Sequence, residues 1–153
     1  MVHTVIHNML YLIDGMEGNV PSTYKKTVMS TSIPQLLDAC LQPSTIQWKS
    51  LSIPDFPHYL SAAASLGGCL LVIGGQKGLL TWIPKPNSVI TSVYAYCLFT
   101  SSWVLVGKLP QPLCLCMTAT LPTDELLVIG GVTPSAGIAT NTTYKYSLPI
   151  PAQ

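Results

Sequence analysis

The chain has 153 residues, enough for one modest domain. Charged residues make up 8% of it, where about 25% is usual, and the apolar class reaches 48%. Seven lysines and six acids leave a net charge of +1, and there is no arginine. Disorder requires the opposite composition, nucleic-acid binding requires a basic stripe, and an amphipathic helical bundle requires charged outer faces. What remains is a membrane protein or a soluble fold whose strands are buried on both faces.

Two stretches without formal charge, Phe56 to Gln76 and Pro86 to Gly107, approach the length of a bilayer span. The first is broken by Pro57 and the glycines at 67, 68, 74 and 75. The second carries Asn87, Ser88, Thr91, Ser92, Thr100, Ser101 and Ser102, whose polar groups would need partners in lipid. Short runs rich in Val, Ile and Tyr favour strands instead, so no membrane span is expected. The N-terminus, MVHTVIHNMLYLIDG, has no basic leader and no small-residue cleavage site, so no signal peptide is expected either.

In chain order, the elements repeat. The first unit opens with HTVI, a His7-Asn8 turn and LYLIDG at 10–15, and continues with TVMSTSI at 27–33 and IQWKSL at 46–51. The second has SAAASL, the Gly67-Gly68 turn, LLVIGG at 70–75, SVYAY at 92–96 and SWVLVGKL at 102–109. The third has CMTAT, a Pro122-Thr123-Asp124 turn, LLVIGG at 126–131 and TTYKY at 142–146. Gly67-Gly68 between two apolar runs is a strong two-residue hairpin signal. The second apolar run recurs after 60 residues, from Leu10 to Leu70, and after 56 more, at Leu126. Trp48 and Trp103 stand 55 apart, matching that period, and each fourth strand leads into a proline-bearing connection, at 52–54 and 110–112. Four short antiparallel strands per period mark a propeller blade.

At these residues the chain resembles the kelch-repeat β-propeller family. The family pattern has a Gly-Gly doublet closing the second strand, a tyrosine closing the third, and a tryptophan seven residues later. The middle unit has all three in Gly74-Gly75, Tyr96 and Trp103. The third has Gly130-Gly131 and Tyr146, with Gln153 where the tryptophan would fall. The first departs more, with Asp14-Gly15 for the doublet and Leu41 seven before Trp48. The expected fold is therefore all-β, a partial kelch propeller of about two and three-quarter blades, at about 2–51, 60–109 and 113–148, the last lacking its fourth strand. Rings close with roughly four to eight blades, so this length points to a fragment of a longer propeller. A shortened gene product, or a chain that covers its open blade faces by self-association, is the alternative.

The repeat marks Gly15, Trp48, Gly74, Gly75, Tyr96, Trp103, Gly130, Gly131 and Tyr146 are read as structural: permissive turns and interblade apolar area. No catalytic residue, metal site or cofactor is expected. His3 and His7 lie four apart about a strand and its turn without a third ligand, and His58 stands alone. Asp124 and Glu125 are adjacent in an expected turn, where solvation suffices. Gly74-Gly75-Gln76-Lys77-Gly78 lacks phosphate-loop spacing. The resemblance also reaches copper oxidases that hold metal through Tyr, His and Cys, but no matching cluster occurs here. Cys40, Cys69, Cys97, Cys114 and Cys116 show no disulfide framework and read as small buried hydrophobes of a cytoplasmic protein. Asn141-Thr142-Thr143 fits a glycosylation acceptor, of consequence only after secretion.

The expected function is a non-catalytic protein-interaction module, for substrate recognition or scaffolding beside an effector domain outside this chain. The family's loop face directs attention to the connection from Gln76 to Thr91, where Lys77, Trp82 and Lys85 are candidate partner contacts. The partner is expected to be a protein, with no role for nucleic acid or membrane, and the lack of arginine argues against acidic peptides. The alternative is a fragment of an oxidase-type or sugar-processing propeller enzyme with its site in blades outside this chain.

Overall fold

The computed structural model describes residues 2–16, 24–41, 46–51, 59–77, 87–134 and 138–147. They form three antiparallel sheets and one helix. The first sheet comprises β1 (Val2–Ile6), β2 (Met9–Met16), β3 (Tyr24–Ser32) and β4 (Lys49–Leu51), with α1 (Ile33–Leu41) between β3 and β4. The middle sheet comprises β5 (Ala62–Leu66), β6 (Cys69–Ile73), β7 (Ser92–Cys97) and β8 (Ser102–Lys108). The third comprises β9 (Met117–Thr120), β10 (Glu125–Ile129) and β11 (Thr143–Ser147). In every sheet sequential strands pair side by side, which is the meander of a propeller blade.

The hairpin turns form where the residues tolerate a left-handed backbone. His7 and Asn8 have φ of 46° and 60°, and Gly67 and Gly68 have 55° and 73°, so both turns place two consecutive residues at positive φ. This right-handed local twist lets β1 pair fully with β2, from Val2↔Ile13 to Ile6↔Met9, and β5 with β6, from Ala62↔Ile73 to Leu66↔Cys69.

The sheets stack face to face with the middle one inside. One core joins the first and middle sheets through Ile6, Tyr11, Ile13, Val28, Leu70, Val72 and Tyr96. The other joins the middle and third sheets through Ala62, Leu71, Ile73, Val93, Leu113, Leu126 and Val128. Successive residues of β6 thus serve opposite cores, as alternation along a strand requires. The innermost strands also adjoin: β1 lies beside β5, and β5 beside β9. Two hydroxyls stitch the second of these contacts, Thr118 donating to the Ala63 carbonyl and Thr120 to that of Ser65, both at 2.7 Å.

Three features differ from the sequence reading. Residues 33–41 are helical, where the sequence reading ended a strand at Ile33 and placed no element before 46. Ser32 caps the helix, accepting a hydrogen bond from the Gln35 N–H at 3.4 Å, and Pro34 occupies the first turn, where its missing N–H costs nothing. β4 is only three residues long, and Trp48 precedes it 37% exposed instead of filling an interblade space. Glu125 is not a turn residue: it opens β10, and its carboxylate meets the Lys145 ammonium of β11 at 2.8 Å. Among the described residues, no helix is long and apolar enough to cross a membrane.

Candidate functional site

The strand directions give every sheet two ends. At one lie the β1–β2, β5–β6 and β9–β10 turns; at the other lie the connections between second and third strands and those between sheets. The glycine doublets organise this second end. Gly74 has φ of 60° and Gly75 of 107°, conformations open to glycine at little cost. The Gly75 N–H donates to the Leu113 carbonyl at 2.8 Å, which draws the connection leading to the third sheet against the doublet. A methyl on Gly74 would collide with that same Leu113 oxygen. A methyl on Gly75 would come within 2.9 Å of the Tyr59 carbonyl, at the entrance to the middle sheet. The first glycine therefore admits the following unit, and the second admits the start of its own.

The third unit repeats half of this arrangement. Gly130 and Gly131 have φ of 62° and 105°, and a methyl on Gly131 would lie 2.9 Å from the Cys114 carbonyl, as Gly75 does from Tyr59. The bridges Tyr59↔Gln76↔Val89 and Cys114↔Val132↔Ala139 recur in the same way. Among the described residues, the nearest atom to a methyl added on Gly130 is the Thr140 carbonyl at 3.3 Å, and no connection to a following sheet contacts it.

The aromatic marks lie inside the stack. Tyr96 and Trp103 are directly opposed across β7 and β8, their ring centroids 5.2 Å apart and tilted by 50°, on the side facing the first sheet. Tyr146 packs against the other core, and its hydroxyl donates to the Val106 carbonyl at 2.9 Å. Burial pushes that phenol above its ordinary range. Gly107, which the sequence reading did not single out, makes room for it: a methyl there would fall 2.8 Å from the Tyr146 hydroxyl oxygen. The marks on doublets and rings are thus engaged in packing. Gly15 pairs with Lys25 just beyond an irregularity after Ile13. Lys77 is exposed, and its backbone N–H donates to the Ser88 carbonyl at 2.6 Å. Trp82, Lys85 and His58 lie outside the described residues.

What the connections leave open is a cleft of about 650 Å³ at the end of the third sheet. Gln111, from the connection between sheets, lines it together with Thr133, Ile138, Ala139, Thr140, Asn141, Thr142 and Tyr144. Its chemistry is uncharged: hydroxyls, two amides, one aromatic ring and the 64% exposed Ile138. Thr140 fixes the local loop, its hydroxyl donating to Thr142 Oγ1 at 2.9 Å and accepting from the Thr142 N–H at 3.1 Å. Threonine and asparagine before a strand read from sequence as turn residues, so the cleft left no motif to find. Beneath the same end of the middle sheet, Ser61 and Gln76 are buried polar side chains. Among the described residues neither Ser61 Oγ nor Gln76 Oε1 has a hydrogen-bond partner. A second hollow, of about 270 Å³, lies at the opposite end between His7, Ser65, Gly67, Gly68, Thr120 and Asp124. Among the described residues no three His, Cys, Asp or Glu side chains converge as metal ligands.

Comparison with known proteins agrees with this geometry. Residues 57–110, the middle unit, match the Kelch motif. No curated protein matches the chain by sequence. A solved structure titled "Structure of YjhT" is similar to it, with a TM-score of 0.71 and 17% identity, covering 97% of this chain and 42% of that one. The chain thus spans less than half the length of that structure. It carries a Kelch motif in its middle unit and has the fold of a kelch-type β-propeller segment.

Proposed function

We propose that this segment is a non-catalytic protein-interaction module whose partner seats on the end built from the connections. The observation that carries the reading is the uncharged cleft between Gln111 and the loop before β11. Amide and hydroxyl groups there can donate to and accept from a peptide backbone, while Tyr144 and Ile138 offer apolar contact. Lys77 stands exposed at the same end of the middle sheet, and Trp82 and Lys85 belong to the connection that begins there. A neutral polar peptide suits this surface better than an acidic one, since the chain has no arginine with which to fork a carboxylate. The role is substrate recognition or scaffolding for an effector domain outside this chain, in the cytoplasm, where structural disulfides are rare.

Photo-crosslinking tests this. A benzophenone side chain at Asn141 or at Lys77 should capture one and the same protein, and N141A with Q111A should weaken its binding at least about tenfold, the loss of a central contact. Capture of that protein from position 8, at the opposite end, but from neither position 77 nor 141 would refute the assignment of the face.

A further inference from the structure

The five cysteines occupy three environments. Cys40 is exposed on α1, Cys114 and Cys116 are buried, and Cys69 and Cys97 are half-buried. Cys69 opens β6 and Cys97 closes β7, and the ladder sets them directly opposite one another. Their sulfurs lie 3.9 Å apart, one thiol donating to the other across 28 residues of sequence. Sequence spacing did not reveal this pair, because only the register of β6 on β7 brings it together. Cys114, by contrast, directs its thiol at the Val132 carbonyl, 3.6 Å away.

Directly opposed residues of an antiparallel ladder have Cα atoms about 4.5–5.5 Å apart, within the roughly 4.4–6.8 Å that a disulfide spans. Their Cβ atoms stand about 4.5–5.5 Å apart, whereas a relaxed disulfide holds them at roughly 3.5–4.5 Å. The bond is therefore reachable by thiol rotation and a small approach of the strands, and it carries strain. Strained, accessible disulfides are the ones a cellular thiol pool reduces again. We infer that Cys69 and Cys97 form a reversible dithiol–disulfide site for a disulfide-class oxidant such as glutathione disulfide.

In the first step one cysteine thiolate attacks a sulfur of the oxidant, whose S–S bond breaks; one reduced thiol leaves and a mixed disulfide remains on the protein. The second thiolate then attacks the protein sulfur of that mixed disulfide and expels the second reduced thiol. The protein gives up two electrons and two protons, and the oxidant takes them up as two thiols. The new bond ties β6 to β7 at the turn end of the middle sheet, the sheet that both cores share. It also closes a covalent ring containing the whole connection from Gly74 to Thr91, whose ends carry the face proposed for the partner.

The test uses the whole chain with Cys40→Ser, which removes the exposed thiol that would couple two molecules. The protein is equilibrated in glutathione buffers of graded oxidation, alkylated and digested with trypsin. Lys77 and Lys108 place Cys69, Cys97 and the Cys114–Cys116 pair on different peptides. The expected result is loss of two of the four remaining thiols, a Cys69–Cys97 linked peptide, and its disappearance on return to reduced glutathione. Cys114→Ser should behave identically, and Cys69→Ser should stop at a single glutathione adduct on Cys97. Glutathione adducts without the internal bond in the Cys40→Ser protein, or a bond to Cys114 or Cys116, would overturn the site. A Cys69–Cys97 bond that survives millimolar reduced glutathione in the folded protein would overturn its reversibility. If Cys69→Ser does not fold, the peptide map of the Cys40→Ser protein decides alone.

Discussion

The hexapeptide LLVIGG occurs twice, at 70–75 in the middle sheet and at 126–131 in the third, and its two copies have different surroundings. In β6 all four apolar residues are buried, with Leu70, Leu71 and Ile73 at 0% exposure. In β10 the alternation returns: Leu126 and Val128 are buried, Leu127 is half-exposed and Ile129 is 37% exposed. The sequence is the same, so the difference comes from stacking alone. β6 lies between two sheets, and among the described residues β10 has a sheet on one face only. Apolar residues on both sides of a strand therefore record a demand for two neighbours, and the third sheet of this segment has the demand on both sides and the neighbour on one.

Truncation at matched positions would sharpen that contrast most. Ile73→Ala removes packing from a closed core and should cost about 2–5 kcal/mol of unfolding free energy, the usual cost of an aliphatic cavity. Ile129→Ala leaves no cavity on an open face and should cost less than about 1.5 kcal/mol. Urea denaturation of the two variants measures both. Equal losses would mean that the outer face of the third sheet is covered in solution, by a second copy or by further blades.

The two copies of the first glycine give the next largest difference. Gly74 and Gly130 share φ near 60°, so alanine at either pays the left-handed penalty of about 1–2 kcal/mol. Only at position 74 does the methyl also strike the Leu113 carbonyl, which has the Gly75 N–H as its partner. Overpacking of that kind adds about 1–3 kcal/mol, so Gly74→Ala should be the more damaging by that amount. A thermal melt in which Gly130→Ala falls as far as Gly74→Ala would remove the distinction between a doublet packed against a following connection and one with no such contact among the described residues.

The sequence made the repeats legible because each depends on local chemistry. His7-Asn8 and Gly67-Gly68 turn with positive φ, and a spacing of seven places Tyr96 opposite Trp103 across one hairpin. Helix α1 was hidden although Ser32 and Gln35 have capping-box spacing, because the β-branched run before Ile33 reads as continuing strand. Trp48 sits at the right period yet is 37% exposed: its counterpart Trp103 packs toward the first sheet, and among the described residues no sheet lies on the corresponding side of the first. Gly107 and the Cys69–Cys97 pair depend on contacts 39 and 28 residues away, which no local pattern encodes. The cleft beside Gln111 was illegible for a further reason: threonine and asparagine look alike whether they end a turn or line a surface.

Hydrogen bonds between the middle and third sheets should carry smaller effects. Tyr146→Phe deletes the bond to the Val106 carbonyl and keeps the ring in its place against Gly107, so about 1 kcal/mol should be lost. Thr118→Val deletes the bond to the Ala63 carbonyl with a similar cost, and the exposed Thr120→Val should cost less, because water replaces its contact with Ser65. Hydrogen exchange at β9 and β10 should quicken in the first two variants and leave β1 and β2 unchanged. Quickening across the first sheet as well would show that the two cores open as one unit.

The faintest difference is electrostatic and lies on the open face. Lys145 and Glu125 are neighbours on β11 and β10, and the Lys145 hydrogen bond, followed by that from Thr123 Oγ1 at 2.8 Å, holds the Glu125 carboxyl below its ordinary value of 4.5. A depressed carboxyl contributes stability that is present above the unfolded-state pKa and is lost as the pH falls through the lower folded value. Stability should therefore decline slightly below pH 4.5, and Lys145→Met should raise the Glu125 midpoint in an NMR titration toward 4.5. The pair is solvent-facing, so 1 M salt, with a screening length of about 3 Å, should reproduce part of that shift in the unsubstituted chain. If salt left the midpoint untouched while Lys145→Met moved it, the ammonium and carboxylate would have to be shielded from water, and the face that carries them would be covered after all.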